Sequence, residues 1–554
     1  MMRFTHLSYA IAIGCGAAAS TSHTLPAVRF ANAPPATIVD DRRDVPRPPE
    51  ERITMMYYYG YMSLFERMVT HAAELPTKRR ALGTNSLDEV PDSTWFTNRS
   101  GLTPAQVRTG PLTQDNPEQH VPWTIVSTKF GGTELGFIIK DARGVKYVLK
   151  FDDLDHPEVE TGTDVVVDRL LWASGYNVPE DQISYIRPEQ LILAPDAVTK
   201  DSAGHSMDRL RQQDVDKVLA LIPHEPDGRI RGSTSRWIEG KGVGAHPTIG
   251  VRADDPNDLI PHERRRDLRG MYALYEWVDN VDVWPGNFLD SWIVDPANPK
   301  RHYLKHFALD FGRGFGAMAA KEHDLSRSHV YRFDFGASFT NLYTLGIKRW
   351  DWETRPQVQI HGVASTFTAA GFEPGNWHSD QAYRPFQDMD RFDGFWGAKI
   401  VARFTREQIH AAVEAGRYSD PRAVQYLTDM LVARQRRLVA YWYNQVSPLD
   451  RFTIGSALCF DDLAITQSYT AAGTPTHYAI SVYDKQGRAI AAPAVLAASL
   501  DGHTCTQPAP SGADPDGYTI FAVTTVRPDF QGTTYVHVAR DFGGVVRVVG
   551  IWRT

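Results

Sequence analysis

Four side chains in this 554-residue sequence have the types and spacing to handle a phosphoryl group: Lys150, Asp282, Asn287 and Asp310. Phosphoryl transfer asks little covalent chemistry of a protein and much positioning. It needs a cation on the phosphates, oxygens that hold a divalent metal, and a carboxylate beside the attacking hydroxyl. In Val148-Leu149-Lys150, strand alternation puts Val148 and Lys150 on one face, the valine against a base and the ammonium at the phosphates. Asn280-Val281-Asp282-Val283-Trp284-Pro285-Gly286-Asn287 carries D-x-x-x-x-N. Average composition produces about one such match by chance in a chain this long. Its place after a helical pattern and before an apolar hairpin therefore says more than the spacing.

The elements that must position these residues are legible. Trp123-Thr124-Ile125-Val126, Gly136-Phe137-Ile138-Ile139 and Tyr147-Val148-Leu149-Lys150-Phe151 read as strands, the last two joined as a hairpin by Asp141-Ala142-Arg143-Gly144. The loop Phe130-Gly131-Gly132-Thr133-Glu134-Leu135-Gly136 is Gly-rich but does not match G-x-G-x-x-G, so Gly131 and Gly132 fit a phosphate cradle and a plain hairpin loop equally well. A helix follows, capped by Thr161 or Thr163, with Val167, Leu170 and Leu171 on its apolar face and Gly175 at its stop. It should supply an acid for Lys150. Asp164 and Glu160 are the candidates, Glu158 lying outside the expected helix after Pro157. Leu268, Met271, Leu274, Tyr275 and Val278 mark a helix over about 260–280, and Asp295-Pro296-Ala297-Asn298-Pro299 turns a hairpin ahead of Asp310. Further helices open at Thr405, with Gln408 completing a capping box, and at Ser419-Asp420-Pro421. After Pro448 the pattern becomes β-rich, as in Tyr478-Ala479-Ile480-Ser481-Val482-Tyr483, and residues 451–554 read as a separate, small, sandwich-like all-β domain.

In this order, residues and elements resemble the protein-kinase superfamily over about 110–450. The segment 280–287 is similar to its catalytic loop, with Pro285 where that loop often has Pro and Asn280 where the family has His. Asp310-Phe311-Gly312 is similar to its metal-binding D-F-G. The tripeptide recurs at Asp334 and Asp541, read here as structural turns, because only Asp310 ends a hairpin that follows the catalytic loop. An A-P-E element is missing after Asp310, and the gap from Asp282 to Asp310 is long. Both departures fit a divergent kinase-like protein, and the chain resembles the secretory-pathway and spore-coat kinases in being atypical and extracytoplasmic. The resemblance implies an α+β chain with a bilobal protein-kinase-like fold, N-lobe about 111–200 and C-lobe about 201–450. It also implies ATP as substrate and Mg²⁺ or Mn²⁺ as cofactor. Asp282 would act as base and Asn287 and Asp310 as metal ligands. Lys150 would hold the phosphates, with Val148, Gly131, Gly132 and Asp164 or Glu160 around the nucleotide. Trp350 and Trp352 could shape an acceptor pocket.

Composition narrows the rest. A net charge of −7, with Lys and Arg dispersed, gives no footprint for nucleic acid. After the first twenty residues no apolar run is long enough to span a bilayer. Arg3, the run from Leu7 to Ile13 and Gly14-Cys15-Gly16-Ala17 have the order of an export signal over 1–22, and Ala12-Ile13-Gly14-Cys15 resembles a lipobox that would lipidate Cys15. A Pro-rich tether over 23–50 and an N-terminal helical extension over 51–110, with Tyr57-Tyr58-Tyr59, would follow. Cys459 and Cys505 fit one disulfide or two buried thiols. The segment 254–266 reads as a solvated capping loop. Neither G-x-S-x-G nor H-E-x-x-H is present, which removes support for a hydrolase. The expected function is phosphotransfer outside the cytoplasm, in the periplasm or outer envelope as a lipoprotein, or secreted, to an unknown acceptor (protein, lipid or glycan). A catalytically silent pseudokinase or envelope-binding lipoprotein is one alternative, and nucleotidyl (AMP) transfer on the same fold is another.

Overall fold

The computed structural model describes residues 25–50, 78–332, 334–471, 473–508 and 510–554. The export signal with Cys15, and the helix expected over 51–75, lie outside the described residues.

The expected strands form as β1 (Trp123–Thr128), β2 (Gly136–Lys140) and β3 (Lys146–Lys150), an antiparallel meander. Their inward side chains, among them Trp123, Ile125, Phe137, Ile139, Tyr147 and Leu149, make one core. Helix α2 (Val159–Ser174) follows, after the short α1 (Pro104–Thr109) earlier in the chain. Neither Thr161 nor Thr163 caps α2. Asp152, from the preceding loop, accepts the Glu160 and Thr161 N–H groups, both at 2.9 Å, while Gly175 ends the helix as expected.

The boundary expected at residue 200 is overturned. β4 (Asp181–Ile186), β5 (Leu191–Lys200), β6 (Ser206–Arg209) and β7 (Ile230–Arg236) all join β1–β3 in one seven-stranded sheet of order β4-β7-β3-β2-β1-β5-β6. The first lobe thus runs to about 236. β7 escaped sequence reading because Arg231-Gly232-Ser233-Thr234-Ser235 is polar, yet it is paired on both edges, by β3 and β4. Between β6 and β7 lies α3 (Gln212–Leu219).

The second lobe is built on α4 (Arg266–Val278), which packs against α7 (Arg391–Val401) and α9 (Pro421–Tyr443), with α8 (Arg406–Glu414) alongside. Gly270 and Gly397 allow α4 and α7 to touch: a Cβ on Gly397 would stand 2.3 Å from the Gly270 carbonyl oxygen. The caps expected at Thr405 and Asp420 are present. After α4 come β9 (Phe288–Asp295) and β10 (Asn298–Ala308), which form a small sheet with β8 (Lys241–Gly242) from ahead of α4, then α5 (Ala317–Glu322) and α6 (Phe335–Tyr343). The polar segment 254–266 is only partly solvated, with Asp255, Asp258, His262, Arg265 and Arg266 buried. His262 Nε2 lies 2.8 Å from Asp258, Arg252 Nη1 lies 2.7 Å from Asp290, and all four residues are buried. Burial is tolerated because each charge meets its opposite.

From Leu449 the chain forms two antiparallel sheets that share a core including Leu458, Phe460, Tyr478, Val482, Phe521 and Val536: β11 (Leu449–Ile454), β12 (Ala457–Asp462) and β15 (His503–Pro508) in one, and β14 (Ala494–Ala497), β13 (His477–Asp484), β16 (Thr519–Arg527), β17 (Phe530–Arg540) and β18 (Val546–Arg553) in the other. Cys459 and Cys505 face each other across β12 and β15 in a disulfide. The unit is not detached. Arg553 reaches Asp88 at 3.0 Å, and Ile551 N–H donates to the Ser86 carbonyl at 2.8 Å. Residues 25–50 are extended but docked rather than a free tether: Asp41 accepts from Thr94 N–H at 2.7 Å, Val45 is buried, and the Phe30 ring lies over Gly550. Of the extension expected over 51–110, the described part is irregular except for α1.

Candidate active site

The site forms where β3, α2 and the chain after β10 converge. Lys150 Nζ lies 3.2 Å from Asp164 Oδ2 and 2.7 Å from Asp310 Oδ1. Asp164 is held on every side, its Oδ1 accepting from Phe311 N–H at 2.9 Å and its Oδ2 from Ser233 Oγ at 3.1 Å. Burial pulls the lysine pKa down, but Asp164 and Asp310 together outweigh it and hold the ammonium well above its ordinary range. Val148 and Lys150 are both half-buried on the face that alternation predicts.

Of the two acids considered, Asp164 pairs with Lys150 and Glu160 does not. One helical turn nearer the N-terminus, Glu160 faces Lys321 Nζ at 3.2 Å and Arg313 Nη1 at 3.4 Å. Burial leads, with Arg313 opposing it, and pushes the Glu160 pKa up to about 7. Asp164→Ala is expected to weaken nucleotide binding by roughly tenfold or more, the cost of a lost charge-assisted hydrogen bond of about 1.5–3 kcal/mol. Glu160→Ala should change it far less. Isothermal titration of the two variants with ATP and Mn²⁺ checks the assignment.

The loop before β2 turns through Gly131 and Gly132, both at positive φ, +70° and +64°. Its carboxylate Glu134 bonds Lys129 Nζ at 2.9 Å from its own loop and Arg313 Nη2 at 2.7 Å from the chain just after Asp310, while Arg313 Nη2 also donates to Thr133 Oγ1 at 2.5 Å. Burial would raise the Glu134 pKa, but Lys129 and Arg313 hold it below the usual carboxylate range. The loop is thus latched down over the site from the far side. Glu134, Arg313 and Ser233 are members that sequence reasoning missed. No local pattern marks them, since Arg313 reaches Glu134 and Ser233 reaches Asp164 from segments distant in the chain.

Below, α4 ends at Asp279 in a left-handed conformation and the chain enters 280–287. Asn287 Nδ2 donates to the Asp282 carbonyl at 2.8 Å, closing that loop, and Leu309 N–H donates to the Asn287 carbonyl at 2.9 Å, tying it to the residue before Asp310. Asp282 is half-buried. Burial first, and the Asp310 charge second, push its pKa up to about 6, against Arg313 and the Asn287 amide. Asp310 itself sits at φ +58°, a conformation few residues other than Gly, Asn and Asp adopt without cost. Asp334 and Asp541 do other work: Asp334 caps α6 by accepting from Ala337 N–H at 2.9 Å, and Asp541 closes a turn by accepting from Gly543 N–H at 2.9 Å.

Neither a family model nor a curated protein matches the chain. Two solved structures of the Golgi casein kinase are similar to part of it. The one with Mn/ADP bound is 14% identical at a TM-score of 0.25, over 58% of this chain and 72% of that chain. The other is 12% identical at 0.27, over 58% and 71%. Likeness at that level assigns no residue a role. The site stands on its own geometry.

Beside it, a cavity of about 290 Å³ is lined by Asp279 and Val281 of the lower loop, by Gly316, and by Trp352, Arg355 and Arg434. Trp352 lies on its wall, and Trp350, which stacks on the ring of Trp352, lines a neighbouring cavity together with it. Both faces of Trp352 are taken, by Trp350 and His329, with each pair of ring centroids 4.7 Å apart.

Proposed function

We propose that this chain is an ATP- and divalent-metal-dependent phosphotransferase of kinase-like build, acting outside the cytoplasm. The observation that carries the reading is the meeting at Lys150 Nζ of two carboxylates with unequal surroundings. Asp164 is 1% exposed and fully spent on Ser233, Phe311 and the lysine, whereas the Asp310 side chain is 30% exposed and has its second oxygen free of the lysine. One acid positions the cation; the other faces the open site.

The donor set fits Mg²⁺ or Mn²⁺, which take oxygen ligands. Asp310 would offer its carboxylate and Asn287 its Oδ1, the amide nitrogen being occupied by the Asp282 carbonyl. Such an ion supplies charge neutralisation between neighbouring phosphate groups when bound. Lys150 would hold the phosphates, and Val148 would lie against the base. Asp282 would accept the proton of the acceptor hydroxyl as that oxygen bonds to phosphorus and the bond to the departing ADP breaks. The disulfide between Cys459 and Cys505 supports a compartment where disulfides persist, in keeping with export. Among the described residues no helix is long and apolar enough to cross a membrane. Attachment through a lipid on Cys15 belongs to the same proposal.

The test is a thermal-shift titration of the full chain with ATP and Mn²⁺. A ligand that binds only the native state raises Tm, by about 2.7 kcal/mol of added stability at a hundredfold excess over Kd. The rise should appear in the wild type only when metal and nucleotide are both present, and vanish in Asp310→Ala. No shift at millimolar nucleotide overturns the reading.

A further inference from the structure

Helix α6 is folded inside out. Its small and polar residues, Ala337, Ser338 and Asn341, face the body, where they line a second cavity of about 220 Å³. Phe335, Phe339 and Leu342, spaced by four and three on the opposite face, point into solvent, and none of the helix's residues is buried. A soluble amphipathic helix does the reverse. The run continues through Tyr343 and across the turn with Leu345 and Ile347, the six large side chains ranging from 54% exposed at Phe335 to 82% at Leu345. No other stretch of the described residues gathers so many exposed large apolar groups. A patch of this kind marks an interaction surface.

We propose that α6 and the turn after it form a membrane-contact element that seats this face of the protein on an anionic lipid surface. Shape and charge both select lipid. Exposures this high mean that the side chains stand clear of the body and of one another, as on a protruding knob. A knob can enter the acyl boundary but offers a protein partner little continuous surface. Between Asp334 and Asp351 the sequence holds Lys348 and Arg349 and no acid, so the two cations border the apolar tip, with Asp334, Asp351 and Glu353 set behind it. The Arg349 side chain is 82% exposed and lies 3.7 Å from Glu353, its more buried partner, and the Lys348 ammonium lies 3.7 Å above the Trp350 ring. Trp350 Nε1 in turn donates to Asn341 Oδ1 at 3.1 Å, fastening the basic end of the turn to α6. Aromatic and aliphatic side chains on one face with basic residues at the border are the composition of an interfacial helix. The proposal does not depend on the transfer reaction.

The full chain carrying Cys15→Ala and Leu342→Cys has one free thiol, since Cys459 and Cys505 are paired. An environment-sensitive fluorophore on that thiol should shift to the blue on vesicles containing phosphatidylglycerol, and less so on phosphatidylcholine alone. Adding Lys348→Gln and Arg349→Gln should weaken vesicle binding by roughly tenfold or more, the loss of two basic groups at an anionic surface. The readout is local, so carriage to the vesicle by the N-terminus would not mimic it. A label that stays in water on vesicles overturns the proposal. So does a shift already present without lipid, which would mean a protein covers the patch, and so does equal binding to both vesicle types.

Discussion

Asp282→Asn is expected to lower phosphoryl transfer by about 10²–10⁴-fold, the usual range for losing a general base, while leaving metal-dependent nucleotide binding in place. The substitution keeps the size of the side chain and the backbone carbonyl that Asn287 caps, so a loss of transfer would report the carboxylate alone. The base must be ionised to accept a proton, and its pKa is raised to about 6 by burial and by Asp310. Wild-type transfer should therefore climb with pH to a plateau. Its inflection should lie at about 6, or lower once a cation neutralises Asp310. The Asn variant should show no such limb. Radiolabel transfer from γ-labelled ATP, within the chain or to added acceptors, measures both.

Stability should move the other way. A carboxyl whose pKa is raised on folding binds more protons in the native state than in the unfolded one, so its contribution falls as pH rises from about 4 to 6. Above that window the folded protein holds an ionised Asp282 at a cost. Asp282→Asn removes the cost, and Tm at neutral pH should rise. A variant that loses transfer and gains stability is the signature of a residue kept for chemistry. An unchanged transfer rate would remove Asp282 from the mechanism.

Asp88→Ala should cost about 3–5 kcal/mol, the range for stripping one partner from a buried ion pair. Asp88 stands between Arg266 Nη2 of α4 at 3.2 Å and Arg553 Nη1 of the last strand at 3.0 Å, and both arginines are almost fully buried. Removing it leaves two guanidinium groups facing each other, only partly relieved by Asp393 at 2.8 Å from Arg266. Burial alone would raise the Asp88 pKa, but Arg266 and Arg553 outweigh it and hold the carboxyl below its usual value. Its stabilisation is therefore present above about pH 4, the unfolded pKa, and is lost as pH falls further. Urea unfolding followed by circular dichroism measures the cost. The exposed pair of Arg417 with Glu118 is the control, where Arg417→Ala should lie within about 1 kcal/mol through its ion pair. Equal costs at the two sites would mean that the C-terminal β unit is not fastened through Asp88.

Much of this protein is written in local sequence. The strands ending in Lys150, the helix stop at Gly175, the caps at Thr405 and Asp420 and the β-rich end after Pro448 depend on side chains a few residues apart, through strand alternation and capping hydrogen bonds. Order along the chain was also enough to separate Asp310 from Asp334 and Asp541, which share its tripeptide. What sequence could not decide was which acid meets Lys150. Asp164 and Glu160 lie one turn apart on α2, and only the arrival of Ser233 from β7 and of Phe311 from beyond β10 fills the hydrogen bonds of one and not the other. The latch of Arg313 on Glu134, the burial of Asp258 with His262 and the inverted face of α6 have the same origin. Each is set by what a distant segment brings to the contact, and polar residues carry no periodic mark of the partner that neutralises them. The types of the candidate residues were therefore legible in sequence alone. Their pairing, their ionisation and the surface the molecule turns outward were settled by tertiary structure, because burial and opposing charge exist only once the chain has closed around them.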